Sequence, residues 1–380
     1  MGKEVDRHLF SEGRKRVLCL DGGGIRGLLS VAVLERVEAI LRARQPAEKQ
    51  PTFVLSDYFD LIAGTSTGSI IAALLALGKT MKEVRAAYEE LGPLIFSKPR
   101  AGAPVLQAKY EAGPFDAELK DALHETTLGG HGLRTGLLIT CHRMDNGSAW
   151  ILCNNKEGKY WRHDSTRPIR HLVRASAAAP TYFDPIILPI GNAQTGLFLD
   201  GAMSGLNNPS LATLIYVLGA EYKLGWKAGV DELFMLSVGT GYKRYLRDQA
   251  DFAGKIVGFQ ASDALTGLIH QSSFQALMTM QALSYSTEPF ILNGEVSGLA
   301  DTNIAGKPLL HFERVDAPLD GETQQKDLGL FLNEAELEDL ERMDNCKKPN
   351  LGNLHLIGQR YAARLKETRL PSTFDIGAAP

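Results

Sequence analysis

Residues 59–77, "FDLIAGTSTGSIIAALLAL", set a serine between two glycines where one apolar run meets another. Phe59, Leu61 and Ile62 read as a short buried strand. Ile70, Ile71, Leu74, Leu75 and Leu77 give a helix apolar on most sides, with no breaker before Gly78. A strand that turns sharply into a helix forces its apex residue into strained φ/ψ, and glycines two positions either side remove the side chains that would clash there. Ser66, in Gly64-Thr65-Ser66-Thr67-Gly68, then projects its hydroxyl from the carboxyl edge of a sheet onto a helix N-terminus, where backbone N–H groups favour a developing negative charge. The same pattern also fits an ordinary strand–helix turn with a capping Ser or Thr. The rest of the chain has to decide between the two.

Strands and helices alternate along the chain. "RVLCLD" (16–21) reads as a strand, followed by glycines and a helix over 28–44. A second helix over "MKEVRAAYEELGPLIF" is expected to end near Gly92-Pro93, and residues 97–115 to form a surface excursion. "GLLITCHRMDNGSAWILCN" (136–154) reads as a hairpin turning at Asp145-Asn146-Gly147. Further strands end at Asp200 and Gly239. This order indicates an α/β layered fold with a mainly parallel sheet, whose ligands bind at the carboxyl ends of the strands. Ser66, Asp200 and the glycines after Asp21 all fall there.

"LDGGGIRG" (20–27) contains Gly22-x-Gly24-x-x-Gly27, a formal match to the dinucleotide fingerprint. A dinucleotide-binding oxidoreductase would need a second strand ending in an acidic residue about twenty positions on. That region is the polar, proline-broken "RQPAEKQPTFVLSD". Three consecutive glycines (Gly22, Gly23, Gly24) suit another task, that of aiming bare N–H groups at an oxyanion beside a nucleophile. Arg26 is either a cation that steadies the same charge or a lipid phosphate, or a solvated first-turn residue.

A serine hydroxyl needs a base within hydrogen-bond reach. After Asp200 the histidines are His270, His311 and His355, none at a Gly-flanked strand end, and His270 reads as a packed or surface helical residue. Asp200 follows Leu197-Phe198-Leu199 and precedes Gly201, so a strand delivers it to a tight turn on the edge that carries Ser66. A turn-initiating aspartate is its ordinary alternative. As a base it would need burial to lift its pKa from about 3.9 toward neutrality.

A net charge of −3 offers no global basic field for DNA or RNA. No H-E-x-x-H or calcium-loop carboxylate cluster is present, so no metal and no cofactor is expected. Cys19, Cys141, Cys153 and Cys346 form no C-x-x-C and read as reduced packing thiols. With an N-terminus lacking an apolar h-region and no apolar run long enough to span a bilayer, the expected setting is the cytoplasm, at the inner face of the membrane.

Six motifs in order carry a resemblance: Asp21-Gly-Gly-Gly-Ile-Arg-Gly27, Gly64-Thr-Ser-Thr-Gly68, "ASAAAPTYF" (175–183), Asp200-Gly201-Ala202, "NNP" (207–209) and "SVGTG" (237–241). Together they resemble the patatin-like phospholipases over about residues 15–241. The resemblance implies a three-layer α/β/α fold and a phospholipid acyl hydrolase acting at a membrane surface. It also implies Ser66 as nucleophile, Asp200 as base of a Ser–Asp dyad without histidine, and Gly22–Gly24 as oxyanion hole. A non-catalytic lipid-binding protein on the same fold is the other alternative. The expected organisation is an N-terminal tail over 1–14, one catalytic domain over 15–370 with a helical part over 250–370, and a C-terminal tail over 371–380.

Some bacterial members of that family are anti-phage effectors switched on by cyclic dinucleotides, which this compact chain resembles; a homo-oligomer is compatible with that. In "YKRYLR" (242–247), Lys243 and Arg244 are the candidate nucleotide or lipid head-group contacts, against a solvated basic loop. The apolar stripe Phe252, Ile256, Val257, Phe259, Leu265, Leu268, Ile269, Phe274, Leu277, Met278, Met280 follows helical spacing. It reads as core packing or as a wall or lid over the acyl site.

Overall fold

Eight strands form one sheet: β1 (Lys15–Leu20), β2 (Leu61–Thr65), β3 (Gly136–Arg143), β4 (Ser148–Cys153), β5 (Ile186–Gly191), β6 (Gln194–Asp200), β7 (Leu233–Val238) and β8 (His311–Val315). The structure, a computed structural model, describes residues 2–101, 107–191, 193–243 and 257–377. β2, β7 and β8 are buried along their whole length, which is how strands covered on both faces behave. The parallel core runs β3-β2-β1-β7-β8. From β1 the chain winds outward to β2 and β3, and later to β7 and β8 on the other side. Right-handed crossovers therefore put the connecting helices on opposite faces and make the carboxyl end of β1 a topological switch point, where such sheets hold ligands. The glycine run follows β1 directly.

The antiparallel strands set the site. β4 covers one edge of β3 from Leu138 to Arg143. The other edge is shared: β2 pairs with it up to Thr65 opposite Thr140, and β6 takes over antiparallel with Asp200 opposite Cys141. The carboxyl ends of β2 and β6 thus meet head to head. The expectation of a strand delivering Asp200 to the edge of Ser66 holds, but by this approach rather than through a parallel neighbour.

The described helices longer than one turn are α1 (Lys3–Phe10), α2 (Gly27–Ala43), α3 (Thr67–Ala76), α4 (Met81–Ile95), α5 (Ala112–Leu123), α6 (Ile169–Ser176), α7 (Ser210–Leu218), α8 (Val257–Leu283), α9 (Glu334–Glu341) and α10 (Lys348–Ala362). α3 is buried over all ten residues, as its apolar composition requires. Residues 3–10, expected as a tail, form α1, with Val5 and Leu9 wholly buried. α4 runs through Pro93 to Ile95 instead of ending before it; so near the helix end the missing N–H leaves only the exposed Glu89 carbonyl without its partner. Residues 250–370, expected as helical, also supply β8, and Phe374 in the expected C-terminal tail is buried. The hairpin over 136–154 is β3–β4, with Gly147 at φ 67°.

Candidate active site

Ser66 sits between β2 and α3 with φ 53° and ψ −123°. A non-glycine residue in that region costs on the order of 1–3 kcal/mol and persists where the surroundings over-determine it. They do so here. A Cβ on Gly64 would stand 2.2 Å from the Gly68 carbonyl oxygen, and one on Gly68 2.3 Å from that of Leu20. Ser66 N–H donates to Ser176 Oγ at 2.8 Å, and the Ser66 carbonyl accepts from Ser69 N–H at 2.9 Å and Ser69 Oγ at 2.6 Å.

Asp200 ends β6 fully inside the protein, its Oδ1 accepting Ala202 N–H at 2.9 Å. Burial pushes its carboxyl up to about 6, while the neighbouring Ser66 side chain and the bond from Ala202 N–H hold it back. A buried carboxylate beside the serine side chain and poised near neutrality has the properties of a general base.

The glycine run packs against the same serine. A Cβ on Gly22 would lie 3.1 Å from Ser66 Cβ and 2.5 Å from Asn207 Oδ1. Gly22 N–H donates to the Asn207 carbonyl at 3.1 Å, so Gly22 supplies close approach and not a free donor. The carbonyls of the run are turned into protein: Gly22 O accepts from Thr240 Oγ1 at 2.8 Å, Gly23 O from Arg26, and Gly24 O from the Tyr88 hydroxyl. In a trans peptide the next N–H points the opposite way. The N–H groups of Gly23 and Gly24 have no protein acceptor among the described residues.

Ser66, Asp200 and Gly22–Gly24 line one cavity of about 220 Å³. Its far wall is apolar, built by Ile70, Leu91, Ile95, Phe96, Phe115 and Phe183. Arg26 also lines it. Its Nε reaches Gly23 O at 3.4 Å, it has no ion pair among the described residues, and burial lowers its pKa against the pull of Asp316, Tyr182, Glu341 and Tyr88. Leu265, Thr266, Ile269 and His270 bring the N-terminal half of α8 into the wall. The C-terminal half, with Leu277 and Met280 buried, joins the core. The C-terminal half of the stripe thus packs in the core, Leu265 and Ile269 of the N-terminal half line the cavity, and Leu268, expected in the same stripe, is exposed. Phe252 and Ile256 and the side chains of Val257 and Phe259 lie outside the described residues.

His270 lines the cavity, which its sequence setting did not indicate; among the described residues the influences on Asp200 are burial, Ser66 and Ala202 N–H. His311 is on β8 beside Glu313 at 3.1 Å, and His355 is buried in α10; neither lines the cavity. Lys243 is ion-paired with Glu341, and Arg244 lies outside the described residues. Ser176, Asn207 and Thr240 fall inside quoted motifs, so their presence was signalled though their partners were not. Tyr88 and Met343, whose carbonyl accepts Ile25 N–H at 2.8 Å, had no signal at all.

A family model described as patatin-like phospholipase matches residues 18–214. A "cGAMP-activated phospholipase" of Vibrio cholerae is 29% identical over 249 residues, covering 63% of this chain and 68% of the relative. A "cUMP-AMP-activated phospholipase" of Escherichia coli is 29% identical over 226 residues, 60% of this chain and 64% of the relative. A "probable inactive patatin-like protein 9" of Arabidopsis thaliana is 25% identical over 282 residues, 70% of this chain and 72% of the relative.

Proposed function

The chain belongs to the patatin-like phospholipase family, and from that premise we propose that it hydrolyses fatty-acyl esters of membrane phospholipids through a Ser66–Asp200 dyad. The observation that carries this is that Ser66, at the strained turn between β2 and α3, and the buried Asp200 line one cavity together with Gly22–Gly24. Ser66 Oγ attacks the ester carbonyl while Asp200 takes its proton. The tetrahedral oxyanion is met by the N–H groups of Gly23 and Gly24 and by the N-terminal end of α3. The C–O bond to the leaving lysolipid breaks as Asp200 returns the proton to that oxygen. Water, deprotonated by Asp200, then attacks the acyl-enzyme, and Ser66 recovers its proton as the fatty acid leaves. The apolar wall suits the acyl chain. Arg26, with no ion pair among the described residues, suits the phosphate at the polar end. The strained elbow and the donor loop favour an enzyme over a non-catalytic lipid binder. At the end of β2, where a dinucleotide fold carries its ribose-binding acid, this chain has Ser66.

The names of the two bacterial relatives support a second element, activation by a cyclic nucleotide, with the enzyme restrained in the cytoplasm until the signal releases it against the inner membrane face. Lys243 and Arg244 are the proposed contacts, a nucleotide phosphate competing with Glu341 for Lys243. A homo-oligomer is part of that proposal. The experiment is lipid mass spectrometry of phospholipid vesicles incubated with wild type or Ser66→Ala, with and without a panel of cyclic di- and trinucleotides. Ser66-dependent release of fatty acid and lysolipid supports the hydrolase. No release under any nucleotide refutes it. Full activity that no nucleotide changes removes the activation element alone.

A further inference from the structure

Behind the glycine run a closed ring of bonds joins three segments. Asp21 accepts both Nη groups of Arg314, at 3.0 and 2.6 Å, and Arg314 Nη2 also donates to Asp316 Oδ2 at 2.7 Å. Asp316 Oδ1 accepts Gly241 N–H at 2.8 Å. Thr240, covalently next to Gly241, donates its hydroxyl to the carbonyl of Gly22, covalently next to Asp21, at 2.8 Å. Asp21, Thr240, Arg314 and Asp316 are all buried. Thr240, Arg314 and Asp316 lie beyond the segment matched by the family model.

We propose that Thr240 is a positioning residue for the oxyanion hole. It touches neither substrate nor the reacting atoms. It acts through the Gly22–Gly23 peptide, whose carbonyl it draws to one side so that Gly23 N–H is aimed to the other. The fit is close: a Cβ on Gly23 would stand 2.1 Å from Thr240 Oγ1 and 2.6 Å from Thr240 Cβ. The rest of the ring holds Thr240 itself. Asp316 fixes the following peptide, Ser30 Oγ donates to the carbonyl of Gly239 at 2.7 Å, and the bidentate Arg314 keeps Asp21 and Asp316 at a fixed separation. Donors that face a developing charge without having to reorganise are what an oxyanion hole requires.

This rests on the hydrolase reading, and its test separates the two. On a soluble chromogenic ester, kcat and KM are measured for wild type, Ser66→Ala, Thr240→Val and Thr240→Ser, with a thermal melt of each. Thr240→Val removes the hydroxyl at nearly constant shape and is expected to lower kcat by about tenfold to a hundredfold, less than the loss of a whole donor, with KM little changed. Thr240→Ser restores the donor and should recover most of that loss. Should valine prevent folding, Thr240→Cys, a weak donor of similar size, takes its place. A folded Thr240→Val with kcat within about twofold of wild type overturns the inference, as does a serine variant as slow as the valine one. Absence of Ser66-dependent turnover in wild type overturns the hydrolase reading, and the positioning role falls with it.

Discussion

Asp200 meets Ser66 end to end: Thr65 stands opposite Thr140 and Asp200 opposite the next residue, Cys141, on one edge of β3. The meeting of Ser66 and Asp200, the proposed nucleophile and base, is thus set by strand register. A slip of one residue in β6 would turn the carboxylate to the other face of the sheet.

The pH profile should report Asp200. As a base it must be ionised, so kcat is expected to fall about tenfold per pH unit below about 6 and to level off above. A profile flat between pH 5 and 8 would contradict this.

The same shift has the opposite sign for stability. Between the ordinary value of 3.8 and about 6 the folded state binds more of this proton than the unfolded state, so this contribution falls as pH rises through that window. Asp200→Asn keeps an acceptor for Ala202 N–H and loses the buried charge. It should gain on the order of 1–3 kcal/mol at pH 8, shrinking toward pH 4, in urea melts. Equal or lower stability than wild type at pH 8 would show that Asp200 is not held against its ionised form.

Gly68→Ala should lose stability as well as activity. Its Cβ would meet the Leu20 and Asp21 carbonyls at 2.3 and 2.7 Å, and backbone on both sides leaves little room to relax. A drop of about 1–3 kcal/mol in denaturant unfolding is expected. An unchanged midpoint would mean that the elbow is not packed this way.

Ile269→Asp, in the cavity wall contributed by α8, should cut hydrolysis of long-chain vesicles more than of a soluble short-chain ester, because only the former fills the apolar wall. Equal losses on both would return this half of the helix to a purely structural role.

How much of this was legible varies by residue. Ser66 and Asp200 announced themselves because strand ends flanked by glycine are local features of sequence. The glycines after Asp21 were legible as a donor loop, yet which N–H groups stay free depends on Asn207, Thr240 and Tyr88, from 64 to 218 positions away from the groups they bond. No periodicity encodes such contacts. His311 and Arg314 belong to a strand, β8, whose sequence "HFERV" carries three charged or polar residues. It is buried because Asp21, Asp316, Glu313 and Arg369 partner them, so burial there could not be read from apolarity.

The central claim is a two-residue, histidine-free dyad, and fatty-acid release from vesicles by mass spectrometry tests it most directly, on wild type, Ser66→Ala, Asp200→Asn, the double variant and His270→Ala. Each dyad variant should lose activity to background, with the double variant no worse than either single, since members of one catalytic unit are not additive. His270→Ala should stay within about tenfold of wild type, well short of the 10²–10⁴ that loss of a general base costs. A folded Asp200→Asn that still turns over, or a His270→Ala as dead as Ser66→Ala, would contradict the account and make the cavity histidine the base.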